Sequence, residues 1–139
     1  MLNKQSALAV ALGLSVASVQ AEVIDIDNAE LARLTAEGIP LIDIRTEGEW
    51  KGSGIIAGSR PLTFFDERGQ ADPAQWLKEA GAIAGPDQPV ILICRSGNRT
   101  RAVANFLSEQ AGYKKVYNVR WGIGGWVGEG RPLPPYLGM

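Results

Sequence analysis

The sequence predicts a single α/β domain in which a mostly parallel central sheet is flanked by helices. Segments rich in β-branched residues alternate with segments of helical spacing, which is typical of parallel strands joined by crossover helices. The apolar run Val90-Ile-Leu-Ile-Cys94 has the composition of a strand that is buried on both faces. The chain of 139 residues is long enough for one hydrophobic core and too short for two ordinary domains.

The predicted elements follow one another in a strand-then-helix order. The predicted strands are residues 23–26, 40–45, 59–65, 88–94 and 115–119. The predicted helices are residues 29–38, a short turn over residues 47–50, residues 73–81 and residues 100–110. The capping residues that indicate helix starts are Asp27 or Asn28, Thr46, and Asp72 followed by Pro73. A glycine-rich segment, residues 121–130, and an extended segment, residues 131–135, follow the last strand.

Residues 1–21 have the pattern of a secretory signal peptide. Lys4 precedes the apolar run of residues 7–17, and the small side chain of Ala21 suits cleavage after that position. The run is shorter than the roughly 20 apolar residues that a membrane-spanning helix needs, so export is favoured over anchoring. The sequence therefore predicts a signal peptide over residues 1–21 and one domain over residues 22–139. The expected location is the periplasm, with no stable membrane anchor after cleavage.

The composition excludes several classes of function. The formal net charge is −1, whereas nucleic acids and anionic membranes attract proteins with a clear excess of Lys and Arg. Neither is expected as a partner. The chain contains no histidine, which excludes Ser-His-Asp and Cys-His hydrolases and His-ligated metal sites. No metal and no cofactor are predicted.

Cys94 is the single cysteine of the chain. One cysteine cannot form an internal disulfide, a thioredoxin-like pair or a four-cysteine zinc site. It can be a small buried hydrophobe at the end of a strand, or it can be a reactive thiol. Its position favours the second interpretation, because ligands of open α/β sheets bind at the carboxyl ends of the strands.

The loop after Cys94 has the composition of an anion-binding cradle. Gly97 permits a positive φ, so successive backbone N–H groups can turn towards one centre. The helix that follows adds the positive end of its dipole. Arg95, Arg99 and Arg101 supply cations, and such surroundings favour a thiolate over a thiol. The sequence thus predicts a nucleophilic sulfur that needs no histidine as a base.

Further motifs occur together with this loop, at four separated points in all. They are Cys94-Arg-Ser-Gly-Asn-Arg99, Asp43-Ile-Arg45 with Glu49-Trp50, Gly54-Ile-Ile-Ala-Gly-Ser59, and Gly122-Ile-Gly-Gly-Trp126. In this combination the chain resembles the rhodanese family over nearly all of the predicted domain. Ile55 stands where the family usually has histidine, and Arg60 stands where a small polar residue is more typical. The resemblance implies a single rhodanese-like domain.

The resemblance also implies a sulfurtransferase that carries sulfur on Cys94 as its catalytic residue. In this family the cysteine takes a sulfane sulfur from a donor such as thiosulfate, becomes a persulfide and passes the sulfur to cyanide or a thiol. The implied substrate-binding residues are Arg95, Ser96, Gly97, Asn98 and Arg99. The residues expected to support the site structurally are Asp43 and Arg45, as an ion pair, and Thr100. Contact with substrate and shaping of the loop are both open roles for Arg95 and Arg99.

Loop length separates sulfur chemistry from phosphate chemistry. Related phosphatases have an arginine six positions after the cysteine, whereas here that position is Thr100 and Arg99 comes one position earlier. The tighter loop favours a sulfurtransferase over a cysteine-dependent phosphatase. A non-enzymatic persulfide carrier or sulfur-binding module stays open as the alternative. The expected partners are a small anionic sulfur donor and a thiol or cyanide acceptor.

Overall fold

A five-stranded parallel sheet organises the structure, which is a computed structural model that describes residues 21–138. Its strands are β1 (Glu22–Ile26), β2 (Leu41–Asp43), β3 (Arg60–Pro61), β4 (Val90–Ile93) and β5 (Lys115–Val119). The helices are α1 (Asn28–Ala36), α2 (Glu47–Ser53), α3 (Pro73–Ile83), α4 (Asn98–Glu109) and α5 (Gly122–Gly128). The predicted α/β class is confirmed. The predicted signal peptide lies outside the described residues except for Ala21.

The sheet has the strand order β1-β5-β4-β2-β3, and every neighbouring pair is parallel. β4 lies at the centre, as its apolar composition predicts. Parallel strands end at the same edge of a sheet, so the carboxyl ends of β2, β4 and β5 lie side by side. Cys94 follows β4 at this edge.

The side chains of β4 alternate between two hydrophobic cores. Val90, Leu92 and Cys94 belong to the core that contains α3 and α4, whereas Ile91 and Ile93 belong to the core that contains α1 and α5. All five are at most 1 % exposed. The two-residue period of a strand therefore directs the sulfur of Cys94 towards the side of the sheet on which α4 packs.

Three helices begin at the capping residues that the sequence indicates. Asp27 accepts from the backbone N–H of Glu30, and Glu30 bonds back to the N–H of Asp27, which completes a capping box. Thr46 and Glu49 form the same box at the start of α2. Asp72 caps α3, whose first residue is the proline that the sequence places there. These local bonds satisfy N–H groups that a helix leaves unpaired.

The strand predicted over residues 59–65 is wrong in extent, because only Arg60–Pro61 has strand structure. β3 pairs only with β2, which is itself three residues long, and Pro61 has no N–H to donate. Beyond Pro61 the chain stays beside the end of β2 in irregular form. There the N–H of Leu62 donates to the carbonyl of Asp43 at 2.9 Å.

Two helices differ from the sequence-based prediction. α3 continues past the predicted end at Gly81, and the N–H of Ala84 donates to the carbonyl of Ala80 at 2.9 Å, with both alanines buried in the core. The glycine-rich segment forms helix α5, which the sequence analysis does not predict. Glycine disfavours helices, and the buried side chains of Ile123 and Trp126 supply the packing that overrides this preference. Within residues 21–138, no helix combines the length and the apolar composition that a membrane crossing requires.

Candidate active site

The sulfur of Cys94 lies between the end of β4 and the start of α4. Cys94 is fully buried, and the backbone N–H of Gly97 donates to its Sγ at 3.2 Å. The hydroxyl Oγ1 of Thr100, in the first turn of α4, is 3.4 Å from the same sulfur. The first turn of a helix has backbone N–H groups without intrahelical partners and carries the positive end of the helix dipole. The sulfur therefore lies in surroundings that stabilise negative charge.

The loop is held in this shape by the turn that follows β5. Gly97 has a φ of +95°, and a side chain there would overlap the carbonyl oxygen of Arg120. Gly122 has a φ of +60°, and a Cβ at this position would lie 2.5 Å from the carbonyl oxygens of Cys94 and Arg95. Both positions therefore require glycine for the backbone conformation and for the space. The two backbone segments pack directly against each other.

Two backbone hydrogen bonds stabilise the contact between the loop and the turn after β5. The N–H of Ile123 donates to the carbonyl of Cys94 at 2.8 Å, and the N–H of Gly124 donates to the carbonyl of Arg95 at 3.0 Å. α5 thus orders the loop through its own first N–H groups. A glycine-rich start of α5 serves this role because side chains would keep the two backbones apart.

The loop cations that the sequence analysis names are placed in three different ways. Arg99 forms a bidentate ion pair with Glu49, with both N···O distances 2.8 Å. Arg101 contacts Asp25 at 3.1 Å. Arg95 is exposed, and none of the ion pairs within residues 21–138 includes it. Two of the three arginines are thus neutralised by carboxylates.

The pair of Arg99 and Glu49 perturbs both groups. Hydrogen bonds from the guanidinium of Arg99, helped by the N–H of Thr46 and opposed by burial, lower the pKa of Glu49 from 4.5 to about 2. The hydrogen bonds to Glu49 also raise the pKa of Arg99, and the charge of Cys94 contributes to this rise. Because Glu49 lies on α2, the pair fastens the start of α4 to that helix.

The predicted supporting residues Asp43 and Arg45 form a buried ion pair. Arg45 Nη2 lies 2.8 Å from Asp43 Oδ2, and the two side chains are 2 % and 0 % exposed. The remaining donors of Arg45 reach Ser53 Oγ at 2.8 Å and the carbonyl of Gly54 at 2.9 Å. The pair therefore ties the end of β2 to the end of α2, the helix that carries Glu49.

The other predicted site residues divide by exposure. Ser96 and Asn98 are exposed beside Arg95, whereas Gly97 and Thr100 are buried. Within residues 21–138, no cluster of three or more histidine, cysteine or acidic side chains is suited to bind a metal.

Two residues that the sequence analysis does not single out complete the surroundings of the sulfur. Thr100 Oγ1 donates to Asn118 Oδ1 at 2.5 Å, and Asn118 Nδ2 donates to Asp25 Oδ1 at 3.1 Å. Asn118 is fully buried on β5, and Asp25 is its register partner on β1. The sequence signal for each of them is a polar residue between apolar neighbours within a strand.

A family model described as "Rhodanese-like domain" matches residues 27–129. The chain therefore belongs to the family of rhodanese-like domains. The α/β fold with its parallel sheet agrees with that assignment.

Several curated relatives carry sulfurtransferase names, and two of them match over most of their length. Thiosulfate sulfurtransferase 18 of Arabidopsis thaliana is 27% identical over 115 residues, which are 81% of this chain and 84% of the relative. A sulfurtransferase of Allochromatium vinosum is 31% identical over 111 residues, which are 78% of this chain and 92% of the relative. These matches support membership of a sulfurtransferase family.

Solved structures are similar in fold. Rv0390 from M. tuberculosis superposes with a TM-score of 0.69 at 24% identity, covering 84% of this chain and 100% of its own. A rhodanese-related protein from Thermoplasma volcanium has a TM-score of 0.60 at 28% identity, with 81% and 99% covered. At 24% identity, the first of these likenesses shows the fold alone.

Substituting Gly97 tests the backbone contact. Gly97→Ala is expected to lower the free energy of unfolding by more than the roughly 1–2 kcal/mol that a left-handed φ alone costs an alanine, because its Cβ overlaps Arg120. Gly112→Ala is the matched control, since Gly112 has a φ of +77° and nothing within 4 Å of its added Cβ. Urea unfolding measures both variants. Equal losses would contradict a close backbone contact at Gly97.

Substituting Glu49 tests the ion pair that fastens α4. Glu49→Gln is expected to lower the free energy of unfolding by about 2 kcal/mol at neutral pH, allowing for its partial exposure. The folded pKa is depressed, so the stabilisation is complete above the unfolded value of 4.5 and is lost as the pH falls towards about 2.

The measurement is urea unfolding of wild type and Glu49→Gln across this pH range, in which the two stabilities should converge. Glu47→Gln is the control, because Glu47 pairs with Lys51 on the exposed side of α2 and should contribute less than about 0.5 kcal/mol. A constant difference between wild type and Glu49→Gln down to the lowest pH would contradict the assignment.

Proposed function

We propose that this protein is an enzyme that moves a sulfane sulfur from an anionic donor such as thiosulfate to cyanide or a thiol acceptor, through a persulfide on Cys94. One observation carries the proposal: the sulfur of the one cysteine lies at the start of α4 and receives the N–H of Gly97 at 3.2 Å. The anion that forms on sulfur is stabilised there without a base partner.

The first step loads the cysteine. The thiolate of Cys94 attacks the outer sulfur of thiosulfate, a new S–S bond forms, and the bond to the sulfonate sulfur breaks. Sulfite leaves with the electron pair, and the enzyme keeps a persulfide with one negative charge. The N–H of Gly97 binds Sγ, and the N-terminal end of α4 supplies the positive potential that stabilises the charge of the persulfide.

The second step transfers the sulfur from the persulfide of Cys94 to the acceptor. Cyanide attacks the terminal sulfur, the persulfide bond breaks, and thiocyanate leaves while Cys94 returns as a thiolate. A thiol acceptor takes the sulfur in the same way and becomes the new persulfide. Each step transfers one sulfur atom and needs no added oxidant or reductant.

The two arginines of the loop divide their roles in this proposal. Arg99 is engaged by both carboxylate oxygens of Glu49, so we assign it to shaping the loop. Arg95 is exposed beside the cysteine, and we assign it to attracting the anionic donor. Related phosphatases have an arginine six positions after the cysteine. Here that position is Thr100, and Arg99, one position earlier, is engaged by Glu49, which disfavours a phosphatase.

Intact-mass spectrometry tests the loading step. Wild type treated with thiosulfate should gain the mass of one sulfur atom, lose it again to cyanide and release thiocyanate over many turnovers. Cys94→Ala should show neither gain nor turnover, whereas Arg68→Gln, on an exposed loop, should behave as wild type. Turnover retained by Cys94→Ala would refute the proposal. Sulfur loading from a protein donor, without any from thiosulfate, would instead identify a carrier, and rapid hydrolysis of an aryl phosphate would identify a phosphatase.

We further propose that residues 1–21 direct export and are cleaved after Ala21. The charged and apolar pattern supports this, and β1 begins at Glu22, so cleavage would remove no residue of the sheet. N-terminal sequencing of protein from the periplasmic fraction of a bacterial host should begin at Glu22, and Ala21→Leu should block processing. Unprocessed wild-type protein in the cytoplasmic fraction would contradict export.

A further inference from the structure

A chain of hydrogen bonds connects the sulfur of Cys94 to the outer strand of the sheet. It runs from Sγ to Thr100 Oγ1 at 3.4 Å, from Thr100 Oγ1 to Asn118 Oδ1 at 2.5 Å, and from Asn118 Nδ2 to Asp25 at 3.1 Å. Cys94, Thr100 and Asn118 are all 0 % exposed. Water therefore does not compete for the bonds among these three residues, whereas Asp25 lies at the exposed end of the chain of hydrogen bonds. The direction of each buried bond depends on its neighbour.

The ionisation of Asp25 sets the donor-to-acceptor direction of these hydrogen bonds. Burial raises the pKa of Asp25, but hydrogen bonds from Arg101 and Asn118 outweigh it and hold this pKa below its usual value, so the group is a carboxylate. A carboxylate only accepts hydrogen bonds. The side-chain amide of Asn118 must therefore turn its NH₂ towards Asp25 and its oxygen towards Thr100.

This orientation decides where the one hydroxyl proton of Thr100 lies. Its shortest contact is with Asn118 Oδ1 at 2.5 Å, compared with 3.2 Å to the carbonyl of Gly97 and 3.4 Å to the sulfur. With the proton on the Asn118 side, Thr100 presents a lone pair to Cys94. It can accept the S–H of a thiol, but it cannot donate to a thiolate unless its bond to Asn118 breaks.

We propose that Asn118 and Asp25 are positioning residues that hold the Thr100 proton away from Cys94, so that Thr100 does not stabilise the thiolate as a hydrogen-bond donor. The proposal deepens the proposed function, since it rests on Cys94 being the nucleophile. This positioning of Thr100 opposes the effect of the Gly97 N–H and of the start of α4, which favour the thiolate. The reactivity of the sulfur is set by the balance of these two groups of interactions.

Other charged groups also lie on the elements around Cys94. They include Arg95, Arg99 and Arg101 on the loop and α4, Asp43 and Arg45 at the end of β2, Glu49 on α2, and Arg120 after β5. None of them is altered in the variants below. In Asn118→Leu, which alters no charged group, a change in the titration of the sulfur can then be assigned to the chain of hydrogen bonds. Asp25→Asn also removes the partner of Arg101, so it is interpreted together with Asn118→Leu.

The test is the pH dependence of the alkylation of Cys94 by iodoacetamide, followed by intact mass. Because the chain has one cysteine, the added mass reports on that sulfur alone. Asn118→Leu removes the acceptor and frees the Thr100 proton for the thiolate. The inflection of the rate should move to lower pH by about one unit, the size expected for one hydrogen bond to a charged group.

Asp25→Asn is the second variant and keeps the size of the side chain. It lets the amide of Asn118 turn, so that the NH₂ group can donate to Thr100, and the inflection should again move to lower pH. Asp27→Asn is the matched control, because it removes the same charge two residues away and Asn is an equally good helix cap. Its inflection should stay at the wild-type value. An equal shift in Asp25→Asn and Asp27→Asn would overturn the proposal, because loss of charge alone would then explain the shift.

A double-mutant cycle separates positioning from a general structural effect. Thr100→Val should place the inflection at or below the wild-type value, and adding Asn118→Leu should produce no further shift. An inflection at higher pH in Thr100→Val would show that Thr100 donates to the thiolate in wild type, and this would overturn the proposal. The proposal would also be overturned if Asn118→Leu shifted the inflection fully in the Thr100→Val background. It would likewise be overturned if neither Asn118→Leu nor Asp25→Asn shifted the inflection. Thermal unfolding checks that each variant is folded.

The readout is independent of sulfur transfer. If wild type fails to take sulfur from thiosulfate, the proposed function fails while the alkylation profiles still measure the sulfur and its hydrogen bonds. If sulfur transfer is observed but the profiles do not move, only the positioning role is lost. The two failures are therefore distinguishable.

Discussion

The site depends on the direct contact between two backbone segments, the loop after β4 and the turn after β5. Gly97 and Gly122 permit this contact, because each has a positive φ and neither has room for a side chain. The carbonyls of Cys94 and Arg95 are then bound by N–H groups at the start of α5. With these carbonyls turned towards α5, the N–H of Gly97 is left to face the sulfur. A small shift of either segment would remove the donor from the sulfur.

Charge in the site is largely compensated within the protein. Three carboxylate–arginine pairs lie near the sulfur, namely Asp43–Arg45, Glu49–Arg99 and Asp25–Arg101. They link the end of β2 to α2, α2 to α4, and α4 to β1, so they act as fixed connections between the elements that shape the loop. An anion on the sulfur is therefore stabilised mainly by oriented N–H groups, whose positions are set before any substrate binds. The sequence analysis leaves two roles open for Arg99, contact with substrate and shaping of the loop, and its ion pair with Glu49 favours the second.

Features that depend on neighbouring residues could be predicted from the sequence, and features that depend on distant residues could not. The apolar run of β4 identified the central strand, and the two capping candidates Asp27 and Asn28 identified the start of α1, where Asp27 is the cap. Both signals are complete within a few residues. The pairing of Arg99 with Glu49 spans 50 residues and that of Asn118 with Asp25 spans 93. No local pattern determines such partners, because strand order brings them together. Helix α5 was missed for a related reason, since its stability comes from packing and not from the propensity of glycine.

The pairing of Arg99 also bears on the kind of anion that this site can hold. A transferred phosphoryl group spreads charge over several oxygens and needs a cation that can reach them. Here both donor nitrogens that the structure shows for Arg99 are bound to Glu49 at 2.8 Å, and turning them inward would leave a half-buried carboxylate unpaired. A persulfide instead concentrates one charge on a small sulfur atom, for which backbone N–H groups suffice. The ion pair that shapes the loop thus leaves Arg95 as the exposed arginine of the loop, and we infer that this arrangement favours sulfur over phosphate.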